Sequence, residues 1–341
     1  MPYQKFLNLF REKNKFNAFL LLAFISLVIV LSLSRGSVEL SSHELIKAFF
    51  REGDLTNQII FWELRLPRLI ASLLVGSALG MSGALLQGML RNGLASPYLL
   101  GISAGSGLVI VLLISMGLWL SWIPIAAWIG AIITTLIVYL LAKSGTSISV
   151  ERLILAGVAL SSLFGSIQSM LLLQTEDGRV QAALTWLIGS LNSRGWTEIK
   201  LAGPPIIFAL VVGLLLSRQL NLLGLGDELS VGLGNSLFRS RCLIGASATL
   251  LAASSVSVGG LIGFVGLIVP HATRFLFGTD YRVVLPFSAL LGAFTLSSAD
   301  LIARSGTIEL PVGIITSLLG CLLYTSPSPR DRTRYRMPSS A

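Results

Sequence analysis

The chain has 341 residues, 53% of them hydrophobic and only 12% charged. A water-soluble domain carries about 25% charged residues, so this composition excludes an ordinary soluble protein and assigns the chain to a lipid bilayer. The 25 Lys and Arg outnumber the 16 Asp and Glu, for a net charge of +9. In so apolar a chain that excess marks a cytoplasmic membrane face, and nucleic acid is not needed to explain it.

Residues 1–15 form a basic tail with Lys5, Arg11, Lys13 and Lys15. It leads into the apolar run 16–33. No small-residue cleavage site follows at Leu33-Ser34-Arg35, so the run reads as a retained first span. A helix rising 1.5 Å per residue needs about 20 apolar residues to cross the hydrocarbon core. Runs of that kind recur at 69–90, 99–120, 123–142, 153–173 and 283–302. Shorter or Gly/Pro-interrupted runs lie at 201–216, 243–258, 261–277 and 310–323. The sequence therefore predicts an all-α, polytopic membrane helix bundle of about ten transmembrane helices, the last one cut short. With the N-terminus inside, alternation puts 91–98, 143–152, 218–241 and 271–282 on the same side, which Lys and Arg mildly favour. Arg65 and Arg304 then fall outside.

In lipid, helices associate through close backbone approach. The second span offers it: Ser72, Gly76, Gly80, Ala84 and Gly88 recur every four residues and line one face. This pattern predicts a tightly packed central helix facing either a neighbour or a pore. The glycines at 101, 105 and 107 do not make a dinucleotide loop, because no strand precedes them and no acidic residue follows at the required distance.

Catalytic chemistry is not visible. The Lys143-Ser144 pair follows Ala142 where a phosphate-binding loop needs glycine. His43 and His271 lie in different loops, and Cys242 and Cys321 sit in or beside apolar runs. These four do not form a metal set or a disulfide framework. The reading is a non-enzymatic chain with no cofactor and no metal. Asp300, near the outer end of the ninth span, is the acid that stands out within an apolar run. So few intramembrane acids argue against an ion-coupled carrier acting alone, the runner-up reading, and an intramembrane enzyme has less support still. Energy must then arrive from a partner. The best docking segment is 218–241, too long for a tight turn and rich in leucine and glycine, which suggests short helices with sharp bends. Apolar side chains held outside the bilayer need something to cover them.

These residues carry a resemblance. The block Phe61-Trp62-Glu63-Leu64-Arg65-Leu66-Pro67-Arg68 opens the second span. Gly83-Ala84-Leu85-Leu86-Gln87 follows, and then Arg91-Asn92-Gly93-Leu94-Ala95-Ser96-Pro97-Tyr98. Gly259 to Arg274, Ala299-Asp300-Leu301-Ile302-Ala303-Arg304 and Glu309-Leu310-Pro311-Val312-Gly313 complete the set. In this order they resemble the FecCD family of ABC permeases, which import iron–siderophore complexes, haem or cobalamin. The resemblance implies two permease copies around a central path, cytoplasmic ABC ATPase subunits below and an extracytoplasmic substrate-binding protein above. It also implies a bacterial cytoplasmic (inner) membrane, a cytoplasmic N-terminus and transport by alternating access. Leu222, Leu223, Gly224, Leu225, Gly226, Asp227, Glu228, Leu233, Gly234, Arg239 and Arg241 would form the segment that couples to the ATPase. Arg65 and Arg304 would meet the binding protein, each with an equal claim as a helix-end anchor or local ion pair. Gly76, Gly80, Gly83, Ala84, Gln87 and Gly88 would serve helix packing or the pathway.

Two departures stand out. Gly93 replaces the family's usual proline in the turn before the third span. Apolar sequence also stops at Tyr324 and gives way to a Pro/Ser/Arg-rich stretch. The expectation is a permease domain over 16–321, followed by a non-native, disordered tail over 322–341; the alternative is a short last helix with a basic tail.

Overall fold

The computed structural model describes residues 2–325 apart from 37, 39, 119–121, 145, 146 and 307. The chain begins with α1 (Pro2–Ser34), apolar from Asn14 onward. Two short helices follow, α2 (Ser42–Phe49) and α3 (Leu55–Ile59). A capping box starts α2: Ser41 Oγ accepts from the Glu44 N–H, and the Glu44 carboxylate accepts from the Ser41 N–H. A π turn over Ile60–Arg65 then feeds α4 (Leu66–Leu90) without a break. Pro67 has no N–H to offer the Glu63 carbonyl, and the helix widens there instead of ending.

Next come α5 (Ile102–Ser115) and α6 (Ile123–Ala142). A two-residue antiparallel ladder, Lys143–Ser144 with Ser147–Ile148, turns the chain into α7 (Val150–Leu173). The 12-residue α8 (Asp177–Ile188) leads to α9 (Trp196–Leu215), and the short α10 (Ser217–Gly224) and α11 (Asp227–Gly232) follow. The chain finishes with α12 (Leu237–Gly259), α13 (Val265–Phe277), α14 (Tyr281–Ala303) and α15 (Val312–Thr325). Among the described residues, seven helices are long and apolar enough to cross a bilayer, and α5, α13 and α15 are shorter apolar helices. They coincide with the runs read from the sequence, so the bundle of about ten helices is what the chain forms. The 14 residues of α15 extend about 21 Å, short of the ~30 Å core. Residues 322–325 continue that helix, and the remainder of the expected tail lies outside the described residues.

The core is built around α4, in which every residue from Ala78 to Leu90 is buried. Its small face lies against α14. A Cβ on Gly76 would collide with the Gly292 carbonyl, one on Gly80 with the Ser288 carbonyl, and one on Gly292 with the Gly76 carbonyl. Gly83 meets the Gly266 carbonyl of α13 in the same way, while Gly88 accommodates the side chains of Leu220 and Tyr281. Ser82 donates to the Ala248 carbonyl at 2.8 Å and fixes α12 on another side. The stripe on α4 therefore faces neighbouring helices. By contrast, α7 buries only Leu153 and Gly157.

Gly83→Ala should cost about 1–3 kcal/mol, the usual cost of overpacking where the obstacle is backbone. Gly93→Ala, with open space around it, should be neutral. Thermal unfolding of the purified variants in one detergent measures both.

Candidate functional site

Polar side chains concentrate at two ends of the bundle. One end gathers the start of α1, the C-terminus of α4 and the α10–α11 segment. Asn14 and Asn17 of α1 donate there to the carbonyls of Phe277 and Leu276. Gly226, at φ +104°, makes the sharp bend between α10 and α11 that an L side chain would resist. Leu220 and Leu223 are buried and anchor α10. Leu222 is half-buried, and Gly224, Leu225, Glu228, Leu233, Gly234 and Arg239 are exposed. Leu225, Leu229, Val231 and Leu233 give an apolar surface more than half exposed at each side chain.

Asp227, at the first position of α11, holds this segment to the bundle. Its carboxylate accepts two hydrogen bonds from the buried Arg241 of α12, at 2.9 and 3.0 Å, and pairs with Arg91 at 3.1 Å. Arg91 caps α4 in the left-handed conformation, φ 49°. A second tie joins α10 to the start of α14: Asn221 donates to Asp280 at 2.7 Å and accepts from the Tyr281 N–H at 3.0 Å. The Arg282 N–H, helped by Asn221, holds the Asp280 carboxyl below the usual carboxylate range. Arg91, Asn221 and Asp280 were not among the sequence candidates. Only Asp280 carried a local cue, an acid three residues before the apolar run 283–302, where it accepts from the Arg282 N–H as an N-cap.

Farther along α4, Ala84 is fully buried, and the buried Gln87 donates to the Leu267 carbonyl at 3.1 Å and accepts from Arg274. Beside the start of α13 lies a cavity of about 490 Å³, bordered by Tyr98, Ser103, Leu187, Phe264 and Ser317. Phe264 sits at φ +65°, a rare conformation for an aromatic residue, with its ring against Gly320 of α15. The sequence carried no hint of this residue.

At the opposite end, Arg65 is buried and donates to the carbonyls of Leu33, Ser34 and Val38, satisfying the C-terminus of α1. Arg304 donates to Ser32 of α1 and lies 3.5 Å from Asp300. Both arginines thus act within the chain as helix-end anchors. Asp300 is 1% exposed, and Arg68 grips it through Nε and Nη2 at 2.8–3.1 Å while also reaching Glu309. Arg68 thereby joins α4, α14 and the loop before α15, a role the sequence reading did not give it. Trp62 and Trp196 form part of an aromatic rim at this end, Trp196 donating to the Trp62 carbonyl at 2.9 Å.

The FecCD transport family matches residues 22–325. A cobalamin import permease of Halobacterium salinarum is 39% identical over 79% of this chain and 73% of its own length. A hemin transport permease of Yersinia pestis is 36% identical over 88% of this chain and 92% of its own. An iron(3+)-hydroxamate import permease of Bacillus subtilis is 35% identical over 87% and 91%. Among solved structures, a metal-chelate type ABC transporter in an inward-facing conformation is similar with a TM-score of 0.82 and 32% identity, covering 90% of this chain and 96% of the other.

Removing one partner of a buried ion pair costs about 3–5 kcal/mol, because the remaining charge stays buried. Arg68→Met should therefore destabilise the fold by about 3 kcal/mol, since Arg304 still faces Asp300. Arg68→Met with Asp300→Leu should recover only part of that loss, because Arg304, 10% exposed, then loses its carboxylate. Chemical denaturation in detergent compares the two.

Proposed function

The chain belongs to the FecCD transport family and is an ABC importer permease, and on that footing we propose that its cargo is an iron–siderophore complex. The membrane is the bacterial cytoplasmic one, with the N-terminus and the α10–α11 end facing the cytoplasm. Two copies of this chain, or one copy and a paralogue, enclose the path between them, and the bare face of α7 supports such a neighbour. Separate ATPase subunits bind below, and an extracytoplasmic binding protein delivers the chelate above. Cobalamin and haem are the sibling cargoes, since relatives of comparable similarity are named for them.

The observation that carries this reading is the α10–α11 segment. It presents apolar side chains outward from the bundle, while Asp227 is ion-paired to α4 through Arg91 and to α12 through Arg241. A partner that grips Leu225, Leu229 and Leu233 therefore moves two core helices together. ATP-driven closure of the ATPases becomes reorientation of the bundle around the path. At the other end, Arg65 and Arg304 contribute to docking by holding α1 and α14 in register, so that the rim offers a fixed surface.

Uptake of radiolabelled ferric siderophore into proteoliposomes tests the proposal, with the partner ATPase and binding protein present. Uptake should require ATP. Each charge-assisted hydrogen bond contributes about 1.5–3 kcal/mol, so Asp227→Asn should lower uptake about tenfold while the ATPase still turns over. Accumulation by this chain alone, without ATP, would overturn the mechanism. Competition by cobalamin or haem, with no effect of ferric siderophore, would reassign the cargo.

A further inference from the structure

An outward-facing crevice of about 530 Å³ opens between α6 and α12, at the end of the bundle that carries α10 and α11. Its walls are two facing stripes, Leu136 and Leu140 of α6 with Lys143 at its C-cap, and Phe238, Ala246 and Thr249 from α12. Spacings of three, four or eleven residues stack these side chains along the helix axes. The crevice is therefore a slot about 10–16 Å long that runs from the helix ends into the apolar depth.

The slot has identifiable causes. The Tyr139 ring lies so close to Gly245 that a Cβ there would collide with its hydroxyl, and the hydroxyl lies 3.4 Å from the Arg241 carbonyl oxygen. That contact closes the floor. Ala246 and Thr249 are too small to fill the space above it. The Thr249 hydroxyl, on a residue only 6% exposed, has no hydrogen-bond partner among the described residues. Leu136 and Leu140 remain 59% and 63% exposed. Lys143, the charged residue of the lining, stands exposed at the C-terminal cap of α6, at the mouth.

We propose that this crevice binds an anionic phospholipid of the surrounding bilayer, with one acyl chain in the slot and its phosphate against the Lys143 ammonium. Both walls are membrane-crossing helices, so the slot runs parallel to lipid chains. A lysine at a helix end carries its charge to headgroup depth, and a cation there selects for a negative headgroup. A second protein copy on this face would have to bury Lys143, whereas a lipid phosphate neutralises it. The proposal depends on the membrane assignment and is independent of the cargo.

Native mass spectrometry of the full chain in mild detergent tests it, titrated with phosphatidylglycerol and phosphatidylcholine of matched acyl chains. One phosphatidylglycerol should be retained with about a fivefold preference over phosphatidylcholine, the effect expected of one basic residue near the headgroups. Lys143→Gln, an exposed change at a helix end, should abolish the preference. Ala246→Phe should lower retention of both lipids by filling the slot. Equal retention of the two lipids by the parent chain, or a preference that survives Lys143→Gln, would overturn the proposal. A change of oligomeric state in Ala246→Phe without loss of lipid would assign the face to a second copy and overturn it equally.

Discussion

Close backbone contact between α4 and its neighbours is the constraint from which the rest of the bundle follows. Lipid solvates an apolar side chain as well as another helix does, so the hydrophobic effect does not drive these helices together. What remains is contact so close that carbonyl oxygens of Ser288, Gly292 and Gly266 occupy the space where side chains of α4 would otherwise stand. With α14 and α13 fixed by that seam, the interior needs only neutral hydrogen bonds such as Ser82 to the Ala248 carbonyl, and the interhelical ion pairs fall where the helices end. The two charged clusters lie there: Arg68 with Asp300 and Glu309 at one end, and Asp227 with Arg91 and Arg241 at the other.

The two clusters differ in exposure, and that separates their roles. Asp300 is 1% exposed and Arg68 13%, so their pairing is an obligatory neutralisation of charge inside the protein. Asp227 is 38% exposed and receives one buried and one half-exposed arginine. A pair of that kind contributes less to stability, and in the coupling role proposed above it links α11 to α4 and α12.

The spans were legible because length and apolar composition determine them, and the stripe on α4 because a four-residue repeat of small side chains lies on one helical face. The bends of 218–241 were legible from glycines, and Gly226 and Gly234 do take positive φ. The pairings were not. Arg68 and Asp300 are 232 positions apart, and no periodicity links residues at that distance. Asp300 was conspicuous only as an acid in an apolar run. Arg65 was expected at an outer surface and is buried, because the carbonyls that end α1 come to rest beside it. The π turn before α4 and the helix α8 were also missed: the first arises from a single missing N–H at Pro67, and the second, with 12 residues, is too short to read as a span.

The bareness of α7 has a mechanical consequence. A helix in water that buried only Leu153 and Gly157 would lose about 25 cal/mol for each Å² of apolar surface left exposed, and would collapse onto the bundle. In hydrocarbon that restoring force vanishes. Leu155, Leu163 and Met170 exchange lipid for protein at almost no cost in solvation. The position of α7 is therefore set by polar and close contacts with α5, such as the hydrogen bond from Gln168 to the Ala104 carbonyl at 2.9 Å, by its short connections to α6 and α8, and by whatever lies beside it.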